Sequence, residues 1–198
     1  MPRRVRSDGE RSRKVIVDAA ARIATVEGLE GLSIARVAAA TGMSKSGVFG
    51  LFGSKQELQM AAIDEARSVF VDQVVRPALQ ASEGIERLSA LCDGFLDYVR
   101  ERVFPGGCFF ASVAAEIGPR PGELRDRIRE EQKLWVGLLT ENAQRARKAG
   151  QLPAGTDPRQ LALELSAMLT GADIAFLLHE DPRIIEGVRK AIRERVGR

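Results

Sequence analysis

Residues 34–58, IARVAAATGMSKSGVFGLFGSKQEL, decide how this chain is organised. Two short segments with helical spacing flank Gly42, and a third segment begins after Gly53. Ser54 and Glu57 have the spacing of a capping box, which predicts the first turn of a longer helix. One packed core does not need three helix boundaries so close together. The pattern therefore indicates that one short helix is exposed for binding.

The two segments around Gly42 have the spacing of a helix-turn-helix. Ala38 is small enough to let the two helices cross closely, and Gly42, four residues later, can adopt the positive φ that the turn requires. Val48 is expected to point back into a small core and to fix the second helix with its polar side outward. A helix presented in this way fits the major groove of B-DNA, which is about 12 Å wide.

Basic residues are concentrated at the start of the chain. Residues 1–60 contain ten Lys or Arg and six Asp or Glu, whereas residues 61–198 contain twenty and twenty-one. A basic first part beside a neutral remainder suggests a polyanionic partner, and a solubilising tail would have the same composition.

Helical spacing recurs along the rest of the chain, without an alternating strand pattern bounded by hairpin turns. The predicted fold class is therefore all-α. Further helices are predicted at residues 83–103, 108–117, 121–149, 158–180 and 182–196.

The sequence contains little that would support catalysis. The single histidine, His179, is explained by a favourable position near a helix C-terminus, and no phosphate-binding glycine loop or metal-ligand cluster occurs. We therefore expect neither an enzyme nor a metal site nor a cofactor. Cys92 and Cys108 lack zinc or disulfide spacing, which favours a reducing interior. The apolar tract 165–178 is shorter than a membrane span and no signal peptide pattern is found, so we expect a cytoplasmic protein without membrane contact.

Residues 12–62, and above all GLEGLSIARVAAATGMSKSGVFGLFGSKQEL, resemble the DNA-binding domain of the TetR family of bacterial transcription regulators. The resemblance implies a three-helix DNA-binding domain with a basic N-terminal arm at residues 1–57. It implies a helical effector-binding and dimerisation domain at residues 58–198, joined by a long helix. The implied function is a ligand-responsive regulator of a double-stranded operator, with repression the more frequent output. A transcriptional activator has the same architecture, and a helical scaffold without DNA binding is the remaining alternative.

The resemblance also implies roles for individual residues. Ser33 and Lys55 would contact phosphates from the starts of the second and fourth helices, because helix N-termini attract anions. Residues 44–51 would form the recognition helix. The predicted DNA-binding residues are Ser33, Arg36, Ser44, Lys45, Ser46, Phe49 and Lys55, with Arg36 either at a phosphate or in solvent.

The recognition helix departs from the family pattern. Phe49 replaces the usual Tyr and cannot donate a hydrogen bond, and Gly47 replaces a usual Thr or Ser. Gly50 and Leu51 offer no polar side-chain atoms. Direct readout is therefore expected to be sparse, and we expect residues 3–14, the basic arm, to contact phosphates or the adjacent minor groove instead.

The resemblance implies an effector cavity in the C-terminal domain, which contains most of the larger aromatic residues. An apolar cavity with few polar groups suits a hydrophobic effector. The predicted lining residues are Phe95, Tyr98, Cys108, Phe110 and Trp135. For each residue taken singly, a place in an ordinary core is the alternative, because such apolar stripes are more often core than pocket.

The resemblance further implies a homodimer formed through a four-helix bundle of the last two helices. Ala167, Gly171 and Ala175 recur every four residues and would let another helix approach closely. The predicted interface residues are Leu165, Met168, Gly171, Ala172, Ala175, Ile185, Val188 and Ile192. A two-fold dimer presents two recognition helices to successive major grooves, which predicts a palindromic operator.

Overall fold

The computed structural model describes residues 2–197, with side chains described from residue 9 onward, and every regular element in that range is helical. The helices are α1 (Pro2–Glu27), α2 (Ile34–Thr41), α3 (Lys45–Phe52), α4 (Lys55–Phe70), α5 (Arg76–Ala78), α6 (Ile85–Arg100), α7 (Phe109–Ile117), α8 (Glu123–Lys148), α9 (Pro158–His179) and α10 (Pro182–Val196). One turn of π-helix, Val71–Val75, joins α4 to α5. The all-α prediction is confirmed, and the five helices predicted after residue 80 are found within three residues of their predicted bounds.

Serine caps define the starts of the short N-terminal helices. The Ser33, Ser44 and Ser54 hydroxyls accept hydrogen bonds from backbone N–H groups three residues later, at 3.1, 3.0 and 3.1 Å. Gly42 ends α2 in the left-handed region with φ 67°, and Gly53 ends α3 with φ 72°. Each serine cap contributes about 1 kcal/mol relative to alanine, because it satisfies an N–H group that has no partner within the helix.

The chain divides into two compact units that are not contiguous in sequence. Unit 1 comprises residues 2–68 and 104–128, and unit 2 comprises residues 69–103 and 129–197. This division differs from the predicted single boundary between residues 57 and 58, because α7 packs against α1. The fully buried core of unit 1 includes Ile16, Ala20, Leu29, Leu32, Val37, Val48, Leu58, Ala62 and Ile63.

Unit 2 is built around α6, which packs against α9 and α10. Its fully buried residues include Leu88, Leu91, Leu96, Val99, Leu161, Leu165, Leu169 and Ile185. Arg189 of α10 is nearly buried and donates to Asp93 and Asp97 of α6, at 2.5 and 2.9 Å. These two ion pairs fix α10 against α6, because the guanidinium is largely removed from water and both partners are acidic.

Helix α9 has two different flanks. Its length and mean hydropathy of 1.7 would suit a membrane span, but one flank is buried within unit 2 and includes the carboxyl side chain of Asp173. The other flank is exposed and consists of Leu163, Ala167, Gly171, Ile174 and Leu178, which recur at helical spacing. We call these five residues the exposed α9 flank. Helix α9 is thus buried on one side and exposed on the other.

The predicted dimer-interface residues fall into two groups by their exposure in the protomer. Leu165, Ala172, Ile185 and Ile192 are buried against other helices of the same protomer. Side chains with so little exposed surface in one protomer add little contact area with a second one, and the interface itself stays a prediction. The other four predicted residues, Met168, Gly171, Ala175 and Val188, retain exposed surface.

Candidate nucleic-acid interface

The turn between α2 and α3 fixes α3 at the surface of unit 1. Val37 and Ala38 are buried on α2, and Val48 and Phe52 are buried on α3, so the two helices share a small apolar contact. The backbone N–H of Gly42 donates to the Ala38 carbonyl, which closes α2 directly before the turn. The helix-turn-helix geometry expected from Ala38, Gly42 and Val48 is therefore present.

The opposite side of α3 is exposed and carries the predicted reading residues. Lys45 and Ser46 are exposed in the first turn, and the Phe49 side chain is 56% exposed one turn later. Phe49 is thus outside the protomer core, and its contact with the DNA backbone or a thymine methyl stays a prediction. Gly47 and Gly50 are exposed between them and leave room for a close backbone approach.

Ser44 differs from its neighbours because its hydroxyl is already engaged. It accepts the Gly47 N–H at 3.0 Å and lies 3.2 Å from the Ser46 hydroxyl. Ser44 therefore shapes the N-terminus of α3, where backbone N–H groups attract phosphate. Ser46 shares this hydroxyl contact, but a hydroxyl has one donor and two acceptor sites, so Ser46 can still bind DNA together with Lys45 and Phe49.

Two cations at the end of the basic arm have structural roles that the sequence did not indicate. The Arg13 guanidinium lies 4.7 Å from the centre of the Phe52 ring, which links α1 to α3 by a cation–π contact. Lys14 donates to the nearly buried Glu65 of α4 at 2.5 Å. Arg3, Arg4 and Arg6 lie outside the residues whose side chains are described, so the arm's contact with DNA stays a prediction.

Arg36 is paired within unit 1. Its Nε lies 2.9 Å from Oε2 of Glu27 and its Nη2 lies 2.5 Å from Oε1 of the same carboxylate. The Arg36 hydrogen bond lowers the pKa of Glu27 below its ordinary value. A DNA phosphate therefore has to compete with Glu27 for Arg36. Contact between Arg36 and a phosphate would require this ion pair to break or to be shared.

Lys55 is better placed for a phosphate. Its Nζ donates to the Glu30 carbonyl at 2.6 Å, and an ammonium group has three donors. Lys55 can thus keep this bond and still donate to DNA. Ser33 uses its hydroxyl to cap α2, and it shares the α1–α2 loop with Glu30, the residue that Lys55 contacts.

The α1–α2 loop is fixed by two residues that sequence reasoning missed. Glu116 of α7 accepts the backbone N–H groups of Leu29 and Glu30 at 2.6 and 2.8 Å. Gln59 of α4 is buried and donates to the Leu29 carbonyl at 2.7 Å. We call these contacts the loop clamp. Glu116 and Gln59 are distant from the loop in sequence, so no local pattern could have identified them.

The predicted effector residues divide between the two units. In unit 2, the rings of Phe95, Tyr98 and Trp135 meet around Phe70, which the prediction did not include. Phe70 lies 6.2, 5.6 and 5.3 Å from them, centre to centre. We call these four residues the aromatic cluster.

The other two predicted effector residues belong to unit 1. Cys108 is buried at the start of α7, and Phe110 is buried with its ring 5.4 Å from that of Phe109. Within unit 1 they form part of an apolar core, which is the alternative that the sequence had left open for each of them.

Comparison with protein families places both halves of the chain. Residues 16–62 match the model described as bacterial regulatory proteins, tetR family, and residues 84–192 match the model described as tetracyclin repressor-like, C-terminal domain. The curated HTH-type transcriptional repressor ComR of Escherichia coli (strain K12) is 22% identical over 166 residues, which cover 82% of this chain and 78% of ComR.

Solved structures show the same fold. A TetR transcriptional regulator from Chloroflexus aurantiacus J-10-FL is 25% identical, with a TM-score of 0.84 and 97% of each chain covered. A TetR-family regulator from Cytophaga hutchinsonii is 21% identical, with a TM-score of 0.80, covering 96% of this chain and 95% of that one. AibR, solved in complex with isovaleryl coenzyme A and operator DNA, is 24% identical, with a TM-score of 0.73, covering 91% and 97%.

Proposed function

This chain belongs to the TetR family of bacterial regulatory proteins and is a transcriptional regulator, and we propose that it is a homodimeric repressor. It binds a palindromic operator in the cytoplasm and is released by a small hydrophobic effector. Repression is favoured over activation by the similarity to ComR, a transcriptional repressor.

One observation carries the DNA-binding assignment. The α3 helix is attached to unit 1 by Val48 and Phe52, while Lys45, Ser46 and Phe49 remain exposed. The exposed side of α3 thus combines an aromatic ring with a cation and a hydroxyl within one helical turn. These three groups suit the phosphates, base edges and thymine methyls of a major groove.

The direct test is binding to a duplex selected from a random pool by the purified protein, measured by fluorescence anisotropy across salt concentrations. Lys45→Ala should weaken binding about tenfold and reduce the magnitude of the salt slope by about one. Lys190→Ala, which removes an exposed cation of α10, is the matched control and should leave both unchanged. Equal behaviour of the two variants, or no salt-sensitive binding by the parent protein, would overturn the assignment.

The exposed α9 flank supports the homodimer. A run of apolar and small residues along the whole helix, with Ile174 60% and Leu178 74% exposed, is unfavourable in water. A Cβ added to Gly171 would meet nothing within 4 Å in the protomer, so this position is open for a close helix–helix approach. Two-fold pairing through the same flank of each protomer buries it and presents two α3 helices to one duplex.

The dimer is tested by light scattering after size-exclusion chromatography. Gly171→Leu and Ile174→Glu should each yield monomers that keep the helical circular-dichroism spectrum of the parent protein. Leu79→Glu changes an equally apolar, 47% exposed residue away from α9 and should remain dimeric. Dimers of unchanged stability in both α9 variants would exclude this flank as the interface.

The aromatic cluster supports a hydrophobic effector, since four rings from α4, α6 and α8 meet there. Effector binding would change the separation of the two α3 helices in the dimer. Both helices must engage DNA together, so a modest change would remove much of the affinity.

A further inference from the structure

Asn142 of α8 is a buried amide that uses only part of its hydrogen-bonding capacity. The residue is 3% exposed, and its Nδ2 donates to the Leu138 carbonyl at 3.0 Å. Its Oδ1 is fully buried and meets no donor among the described residues. Buried carbonyl oxygens are almost always paired in native proteins, so an exception requires an explanation.

Asn142 lies on the same side of α8 as the aromatic cluster. Trp135 is seven residues earlier, close to two full turns, and its ring stacks on Phe95 of α6 at 5.9 Å with 27° between the planes. Ala146 is four residues later and also faces the α6 side, because its backbone lies 3.4 Å from the Cβ position of Gly84. Asn142 is therefore between two points at which α8 meets the α6 side of unit 2.

Leucines occupy neighbouring positions on these faces of α6 and α8. On α6, Leu88 and Leu91 lie on the helix face shared by Gly84 and Phe95, and both are fully buried. On α8, Leu139 is fully buried one turn before Asn142. The Asn142 oxygen is thus a buried polar acceptor on α8, about 10 Å along the helix from Trp135.

The aromatic cluster has features that ordinary cores lack. Phe70 and Trp135 are only half-buried, so the cluster reaches the protein surface. The π-helical turn Val71–Val75 follows Phe70 directly, and such turns occur frequently at functional sites.

We propose that Asn142 is the polar end of the effector site and that the effector is an apolar molecule carrying an uncharged hydrogen-bond donor, a hydroxyl or an amide N–H. This inference rests on the proposed function, in which the aromatic cluster receives the effector. Asn142 Oδ1 can only accept, so the ligand must donate to it. A free carboxylate would place its negative charge against this oxygen in a region where Leu88, Leu91 and Leu139 are fully buried, which is unfavourable.

The proposal is tested with four probes that share an eight-carbon chain: octanol, octanamide, methyl octanoate and octanoate. Trp135 is the only tryptophan in the chain, so its emission reports binding at the aromatic cluster. The full-length protein should bind octanol and octanamide about tenfold more tightly than the ester or the carboxylate, the value of one hydrogen bond in a buried site. Asn142→Leu should abolish this preference while retaining binding of the ester.

Two further measurements separate a ligand role from a structural one. Gln144→Leu, an exposed amide on the same helix, is the control and should keep the preference for donors. Asn142→Leu should raise Tm, because it replaces an unsatisfied buried acceptor by an apolar group of similar size. A lowered Tm in that variant, a preserved donor preference, or no change of Trp135 emission with any probe would each overturn the proposal.

DNA binding is measured in the same samples. If the selected duplex is bound but the probes are not, the effector-site inference fails and the regulator assignment stands. If the donor probes bind and no duplex does, the assignment fails and the site stands.

Discussion

Replacement of Glu116 tests whether the loop clamp fixes the DNA-binding helices. The carboxylate accepts two backbone N–H groups, of Leu29 at 2.6 Å and Glu30 at 2.8 Å. A hydrogen bond to a charged group contributes about 1.5 kcal/mol or more, so Glu116→Ala should lower the free energy of unfolding by about 3 kcal/mol. Glu116→Gln keeps one acceptor oxygen and should cost about half as much.

The consequence for DNA binding follows from the position of the loop. It carries Ser33, the cap of α2, and Glu30, whose carbonyl accepts from Lys55. Loss of the clamp should therefore weaken operator affinity about tenfold at a temperature where the protein remains folded, because two predicted phosphate contacts lose their fixed geometry. Glu116→Asp retains the charge but shortens the side chain by one methylene, so its carboxylate no longer reaches both N–H groups. Its operator affinity should therefore fall as far as that of Glu116→Ala.

Hydrogen exchange gives the most local readout. The amides of Leu29 and Glu30 should exchange faster in Glu116→Ala, while amides in unit 2 keep their protection. Glu130→Gln removes an exposed carboxylate of α8 and is the matched control. The reasoning is refuted if the two amides stay protected in Glu116→Ala, or if operator affinity is unchanged although Tm falls.

Three further outcomes are expected. Gly42→Ala should lower the free energy of unfolding by about 1 kcal/mol, because φ is 67° at this position and the open space around the added Cβ leaves backbone strain as the only cost. Gly137→Ala inside α8 should raise the free energy of unfolding by a similar amount, because alanine favours the helix and the added Cβ also has open space. Thermal unfolding of both variants gives the two signs. Glu27→Gln should increase affinity for DNA at low salt by releasing Arg36, and unchanged affinity in an anisotropy titration would place Arg36 in solvent. Hydrogen bonding by Arg145 lowers the pKa of Glu83 below its ordinary value. The pair therefore stabilises the fold fully at pH values above the ordinary glutamate pKa, and this stabilisation is lost as the pH falls through the lowered pKa. Glu83→Gln should thus reduce the drop in Tm between pH 7 and pH 3, and an unchanged drop would show that the pair contributes nothing.

The helix boundaries of the N-terminal domain could be predicted from the sequence, because each boundary depends on residues within one helical turn. Ser33, Ser44 and Ser54 each bond to a backbone group three residues away, and Gly42 needs only its own backbone freedom. A cap or a turn is encoded within one helical turn of chain, so residue type and spacing suffice. The exposed position of Lys45, Ser46 and Phe49 followed from the buried position of Val48 by the same helical periodicity.

The effector and interface residues were harder to assign because an apolar residue on a helix has the same local pattern whether it faces a core, a ligand or a partner. Leu165 and Ile185 were assigned to a dimer interface, yet both are buried within the protomer. Their exposed counterparts Leu163 and Ile174 are equally apolar. Only the packing of α9 against α6 and α10 distinguishes one flank from the other.

The sequence alone therefore determined the helices, their caps and the exposed reading surface of α3, because these depend on interactions within a few residues. The tertiary structure alone decided that Glu116 and Gln59 clamp the α1–α2 loop and that Phe70 joins Phe95, Tyr98 and Trp135. It also decided that Asn142 Oδ1 meets no donor in the part of the chain that the structure describes. Each of these depends on which helix faces which across the folded chain. That pairing is set by the burial of many side chains together, and no single stretch of sequence records it.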